Sequence, residues 1–284
     1  MIVVTGATGT VGRTVARLLA REHPVRLFVR SPDRLGPVEG LAEGRTEVVR
    51  GHYGDGEALR RALEGARAAF LVTNHPTEPD DARFTEAAVA VGLRHVVKLS
   101  AYAVGDPDAD DFITRRQREN EDVIRASGLD WTFLRPRAFM SNTLSWAESV
   151  RAAGVVRALY GDAPHSVIDP RDVAEAAVRA LTGPGHEGRA YALTGPEAVT
   201  AVEQTEQLGE ALGRPLKFEE LTVDQARAAL LRRCPPVVAE ALLRSAERLA
   251  AGRKADVSGT FEEVVGRGPG AFRQWARDHA EAFR

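Results

Sequence analysis

The sequence predicts an α/β protein built on a doubly wound parallel sheet, with core strand order 3-2-1-4-5-6 and a small, mainly helical carboxyl-terminal lobe. Three observations predict it. Six short β-branched runs alternate with helix-period segments through the first half of the chain. A turn with three spaced glycines stands between the first run and the first helical segment. After Arg135 the alternation gives way to mostly helical patterns. Strand, helix, strand repeated this often, with right-handed crossovers, places helices on both faces of a parallel sheet.

Taken in order, "IVV" (2–4), "VRLFV" (25–29), "TEVV" (46–49), "AAFLV" (68–72), "HVVKLS" (95–100) and "WTFLR" (131–135) read as the six strands. Between the first two, Val11, Val15, Leu18 and Leu19 form one apolar stripe at helical spacing. Asp55 can cap a helix through Leu63, Pro79 can open another that ends near Gly92, and Gly128 can close the one beginning near Phe112. Further on, Asp169 as cap, Pro170 at the first helical position and Asp172 in the first turn predict a helix, followed by one more strand at 189–195. "TAVE" (200–203) and "TVDQ" (222–225) are capping boxes ahead of helices. Cys234-Pro235-Pro236 interrupts the pattern, after which 237–251 and 272–283 read as helices. The predicted division is a sheet domain of residues 1–150, joined by 166–195, and a smaller substrate lobe of 196–284 with 151–165. The lobe is expected over the carboxyl edge of the sheet, where open α/β sheets bind ligands.

A formal net charge of -2 over 284 residues gives no long-range field for nucleic acid or an anionic membrane. The single cysteine, Cys234, excludes an internal disulfide framework. Ile2 opens a strand with no room for a leader, and no run approaches a membrane span, so a soluble cytoplasmic protein is expected. The expected partner is a small-molecule substrate, and a homodimer is compatible with everything above. No metal-ligand spacing, nucleophile elbow or Walker pattern occurs, so no metal is expected.

The chemistry begins at "TGATGTVG" (5–12). A strand that turns into a helix presents the helix's free amides and the positive end of its dipole, which suits a phosphate. Gly6 makes the tight turn, Gly9 lets a pyrophosphate approach, and Gly12 lets the helix lie close to the sheet. Thr8, Thr10 and Val11 stand with them at the expected cofactor. An acid at the end of the second strand would bond a ribose and favour NAD, but that stretch reads "FVRSPDR" (28–34). Arg30 and Arg34 can instead fork onto a 2′-phosphate, so the reading is NADP(H); Asp33 lies beyond the strand end.

With "GHYGDGEAL" (51–59), "VVKLSA" (96–101), "SGLDWTFLRPRAFMSN" (127–142), "IDPRDVAEAA" (168–177), "YALTGPE" (191–197) and "GRGPGAFRQWARDHAEAF" (266–283), the chain resembles, nearly end to end, the NmrA-like branch of the atypical short-chain dehydrogenase/reductases. The resemblance implies an NADP(H)-binding Rossmann domain with a small carboxyl-terminal lobe. It implies that Asp55 lies by the adenine, and that Thr73, Asn74, Ser100 and the segment from Pro136 to Phe139 line the nicotinamide end.

The departure from the wider superfamily bears on mechanism. Ordinary members carry a Tyr-x-x-x-Lys pair on the helix after the fifth strand, the lysine lowering the tyrosine pKa for proton donation. Aligning Glu121 with the glutamate usual in NmrA-like relatives places Ile113 and Gln117 there, and Tyr102 has Asp106 four residues on. Hydride transfer to an activated acceptor, a quinone, enone or iminium, needs a positioned nicotinamide more than a strong protein acid. On that reading the chain is an NADPH-dependent reductase, with Tyr102 or His165 as proton donor or substrate clamp. The alternative is an NADP(H)-sensing regulator with a protein partner and no turnover.

Overall fold

The computed structural model describes residues 1–35 and 44–284. In chain order the elements are β1 (Ile2–Thr5), α1 (Thr10–Leu19), β2 (Val25–Val29), β3 (Thr46–Arg50), α2 (Gly56–Leu63), β4 (Ala68–Leu71), α3 (Asp80–Ala90), β5 (His95–Leu99), α4 (Phe112–Arg125), β6 (Asp130–Pro136), α5 (Ala147–Ala153) and β7 (Val155–Ala158). There follow α6 (Pro170–Thr182), β8 (Arg189–Leu193), α7 (Ala201–Leu212), β9 (Lys217–Glu220), α8 (Val223–Leu231), α9 (Pro236–Ala250), α10 (Thr260–Val265) and α11 (Phe272–Asp278). None of the helices is long and apolar enough to cross a membrane among the described residues. Two compact units emerge. The first comprises Met1–Asp106, Arg116–Pro136 and Pro170–Ala192, the second Pro107–Arg115, Arg137–Asp169 and Leu193–Arg284.

The first unit carries a seven-stranded sheet in the order β3-β2-β1-β4-β5-β6-β8, the expected core extended by one edge strand. Strands β1 to β6 pair in parallel, Ile2 lying opposite Val25 on one side and Ala68 on the other. Parallel central strands are buried on both faces, which is why β1, β4 and most of β5 read as continuous apolar runs. On one face, Leu59 and Leu63 of α2, Phe84 of α3 and Ile124 of α4 pack with Val3, Leu71, Val96 and Phe133 of the strands. The helices α1 and α6 pack together, α6 against β4, β5 and β6. The predicted α1 stripe is buried through Val11, Val15 and Leu19.

The second unit holds a core of Met140, Val150, Val156, Leu208, Phe272, Trp275 and Phe283. Both predicted capping boxes form, Thr200 with Glu203 and Thr222 with Gln225. Two features differ from the sequence reading. A small parallel sheet pairs β7 with β9, Val155 opposite Lys217 and Val156 opposite Phe218; strands of only four residues carry too little periodicity to be read singly. The closing helix of 272–283 is broken after Asp278 into α11 and a 3-10 turn, Ala280–Phe283. His279 leaves helical geometry at ψ 12°, its ring Nδ1 and its amide both reaching the Trp275 carbonyl, at 2.8 and 3.1 Å.

Candidate functional site

A cavity of about 610 Å³ opens in the first unit. Its walls come from loops leaving the carboxyl ends of four strands: Gly6, Thr8 and Gly9 after β1, Arg30 after β2, His52 and Tyr53 after β3, Asn74 and His75 after β4. Strand order reverses at β1, which lies between β2 and β4. In a parallel sheet the two adjoining crossovers leave for opposite faces there, and a crevice opens between their loops.

The glycine turn forms the floor. Thr5 ties the ends of β1 and β4 together, its hydroxyl donating to the Phe70 carbonyl at 3.1 Å and accepting from the Val72 amide at 2.8 Å. Gly6 takes φ +64°, and the Gly9 amide closes the turn onto the Gly6 carbonyl at 2.9 Å. At Gly12 a Cβ would stand 2.3 Å from the Gly6 oxygen, so only glycine lets α1 start this close to β1. The amides of Thr10, Val11 and Gly12 have no acceptor among the described residues, and the first turn of α1 contains no acid. Unpaired amides at a positive helix end, beside a cradle that a Cβ would fill, fit a dinucleotide pyrophosphate. Thr8 and Thr10 are exposed, whereas the Val11 side chain is in the core, so its contribution to that cradle is its backbone.

Arg30 is exposed at the cavity and Arg34 is exposed in the 3-10 helix Pro32–Leu35, outside the cavity lining. Neither guanidinium makes an ion pair among the described residues. Arg13 donates to the Arg34 carbonyl at 3.1 Å, and Arg50 ends β3 opposite Val29. Arg13 and Arg50 were not among the residues singled out from the sequence. Strand pairing sets Arg50 opposite Val29, the residue before Arg30, and an i-to-j register is not visible in one strand alone. Tyr53 is a wall: its hydroxyl donates to the Val72 carbonyl at 2.7 Å, its ring meets Phe28 edge-on at 5.9 Å, and burial pushes its pKa up, so it stays protonated.

Asp55, expected by the adenine, spends its carboxylate elsewhere. It caps α2, accepting from the Ala58 amide at 3.0 Å, and the adjoining Gly54 and His52 line the cavity in its place. Thr73 likewise points into a buried network. Its hydroxyl donates to Asp81 at 2.6 Å and accepts from Lys98 at 3.3 Å, and Lys98 pairs with Asp81 at 2.6 Å, both fully interior. Asn74, the next residue, lines the cavity. The Ser100 hydroxyl donates to Glu121 at 2.6 Å. Glu121 is wholly buried and also takes Arg125 and both arms of Arg135, so the helix α4 and strand β6 are locked around one carboxylate. Tyr102 is half-buried and opens a 3-10 helix, Tyr102–Gly105, after β5; Pro136 ends β6. Ile113 and Gln117 lie on α4, neither able to activate a tyrosine.

In the second unit, Phe139 is half-buried and bridges Ile168. His165 bridges Val199 through both backbone groups, and its Nε2 meets the Gln204 side-chain nitrogen at 2.9 Å. Burial, with Lys254 and Arg137 nearby, lowers its pKa to about 4. At neutral pH it is a neutral imidazole and not the proton-giving imidazolium a general acid would require. Among the described residues no cluster of His, Cys, Asp and Glu suits a metal.

Residues 6–184 match the model of a family described as NAD(P)H-binding. The chain is 64% identical over 283 residues, covering all of itself and 99% of its relative, to the (4-alkanoyl-5-oxo-2,5-dihydrofuran-3-yl)methyl phosphate reductase of Streptomyces griseus. It is 35% identical over 289 residues to the NAD(P)H azoreductase of Xenophilus azovorans, again across 100% of this chain and 99% of that one. The crystal structure of an NADPH-dependent quinone oxidoreductase of Escherichia coli, complexed with NADPH, superposes with a TM-score of 0.84 at 26% identity, over 98% of this chain and 99% of that one.

Proposed function

The chain belongs to the NAD(P)H-binding family and is an NAD(P)H-dependent reductase; we propose that it uses NADPH to reduce a small, electron-poor conjugated acceptor, a phosphorylated acyl-butenolide being the acceptor class most consistent with its relatives. The observation that carries the reading is the pairing of a dinucleotide cradle with an α4 that has Ile113 and Gln117 where a carbonyl reductase needs an acid and its lysine.

The cofactor, when bound, supplies a hydride. In a 4-acyl-2,5-dihydrofuran-5-one the ring alkene is conjugated to two carbonyls, so addition at its β-carbon leaves the electron pair spread over a 1,3-dicarbonyl. That product is a weak base, and water can return the proton. The protein's task is therefore orientation and charge placement, which alone can supply several kcal/mol. Each local group follows that logic. Thr10, Val11 and Gly12 offer amides to the pyrophosphate; Arg30 at the cavity, with Arg34 and the Arg13 that holds its carbonyl, supplies the positive field for a 2′-phosphate. Glu121 and the Lys98–Asp81 pair hold the β4 and β5 loop ends, Thr73 and Ser100, in place. Tyr102 remains the candidate clamp or proton source. His165 serves as a neutral hydrogen-bonding group.

The test is NADPH consumption followed by absorbance against a panel. The acyl-butenolide phosphate and a quinone should be reduced, while simple secondary alcohols with NADP⁺ should give no turnover. Rapid alcohol oxidation would overturn the mechanism, and binding of NADPH with no turnover on any member would return the chain to the sensing role.

A further inference from the structure

Outside the dinucleotide cradle, the second unit brings the cations Arg137 and Arg248 to bear on Lys254. Arg137 follows Pro136 directly and precedes Phe139, inside the segment expected at the nicotinamide end. It is 9% exposed, its amide is held by the Leu193 carbonyl at 2.9 Å, and its guanidinium pairs with Asp256. Lys254 stands two residues before that aspartate. Its ammonium donates to the Ser245 hydroxyl at 2.6 Å and lies within ion-pair distance of no carboxylate among the described residues. Ser166, fully buried beside His165, stitches this segment down: its amide bonds the Lys254 carbonyl at 3.0 Å and its hydroxyl the Asp256 carbonyl at 2.7 Å. Main-chain bonds thereby fix the backbone of both cations, Arg137 to Leu193 and Lys254 to Ser166, and both charges act on His165.

We propose, resting on the reductase reading, that Arg137 and Lys254 seat a phosphate monoester carried by the acceptor, so that the protein selects phosphorylated substrates. The charge balance supports it. Arg137, Arg248 and Asp111 are the charged groups acting on Lys254. Asp111 is committed to the first turn of α4, where it takes both the amide and the hydroxyl of Thr114. Asp256 is half-exposed and its carboxylate pairs with Arg137. Burial and the two guanidinium groups bring Lys254 down to about 8, and neutral His165 adds no charge. A half-buried ammonium among other cations is a cost in the free protein and a gain once a dianion arrives. A monoester dianion has oxygens for both the planar fork of Arg137 and the point charge of Lys254.

The experiment compares a (4-alkanoyl-5-oxo-2,5-dihydrofuran-3-yl)methyl phosphate with its phosphate-free alcohol, at saturating NADPH. In the natural protein kcat/KM favours the ester, and Lys254→Met lowers the ester-to-alcohol ratio at least tenfold through KM. Lys254→Arg restores most of the ratio, and Lys217→Met, an exposed lysine of β9, leaves it unchanged. The ester's KM also rises above pH 8, as Lys254 loses its proton. A ratio unaffected by Lys254→Met, or no preference for the ester at the outset, overturns the proposal. Should neither compound be reduced, the reductase reading fails by itself, and calorimetry with methyl phosphate decides the subsite. Saturable binding weakened tenfold by Lys254→Met upholds it, and no binding to the natural protein removes it.

Discussion

Replacing Gly12 by alanine pits two effects against each other, and the geometry says which wins. In a helix interior, alanine is favoured over glycine by about 1 kcal/mol, so propensity alone predicts a more stable protein. The new Cβ, however, would lie 2.3 Å from the Gly6 oxygen, 2.7 Å from the Gly6 carbonyl carbon and 3.1 Å from the Thr5 oxygen. Ordinary contacts begin at about 3.5 Å, so α1 must retreat by about 1 Å from the end of β1. The opposing atoms are backbone at the end of a buried strand and cannot rotate away. Overpacking of this kind costs about 1–3 kcal/mol, which exceeds the propensity gain. The net loss, up to about 2 kcal/mol, corresponds to a fall of up to roughly 8 °C in Tm for a protein near this size. The same retreat moves the amides of Thr10, Val11 and Gly12, and charged hydrogen bonds are worth about 1.5–3 kcal/mol each. NADPH affinity should therefore fall about 10–100-fold. Gly9→Ala is the control: its Cβ meets only the Gly6 oxygen, at 3.3 Å, but faces the cavity. It should weaken NADPH while leaving Tm nearly unchanged. Thermal scans with and without cofactor, and calorimetric titration, give both numbers. A Gly12→Ala protein that is more stable and binds NADPH undiminished would refute the argument that close approach of α1 builds the site.

Three further outcomes follow from other parts of the molecule. If its guanidinium seats the 2′-phosphate, as proposed, Arg30→Ala should weaken NADPH about tenfold or more while leaving NADH nearly unchanged; titration of both cofactors decides it, and equal losses would show Arg30 to be a general contact. Asp81→Asn leaves Lys98 buried without its counter-charge and should cost about 3–5 kcal/mol in urea unfolding, whereas the double change with Lys98→Met should recover much of it; a double variant as unstable as the single one would refute the ion-pair account. His165 has its folded pKa lowered to about 4 from an ordinary 6.5, so between these values the unfolded chain binds the extra proton. Its contribution is present above pH 6.5 and lost as pH falls towards 4, with a slope of at most about 1.4 kcal/mol per pH unit. His165→Gln should flatten stability in that window, and an unchanged slope would show that other groups set it.

The resemblance implied an NADP(H)-binding Rossmann domain, and the local signals behind it were legible because each depends on neighbours in sequence. The glycine spacing, the Asp55 cap, the two capping boxes and the apolar stripe of α1 are all short-range patterns. They determine a parallel α/β sheet with a phosphate-ready turn at its first crossover. The arginines that end the second strand are readable for the same reason.

Whatever depended on which strands become neighbours was decided only by tertiary structure. Pairing of β2 with β3 sets Arg50 opposite Val29, and Tyr53 reaches Val72 across 19 residues. The hydroxyl groups expected to face a cofactor at Thr73 and Ser100 were claimed by buried carboxylates 8 and 21 residues away. The environment of His165 and Lys254 was likewise invisible in the chain, because a titratable group's pKa is set by burial and by charges that folding delivers from distant positions. Sequence alone determined where a phosphate-ready glycine turn forms; the three-dimensional arrangement decided which polar groups already have partners, since hydrogen-bond partners and dielectric surroundings exist only once the chain has folded.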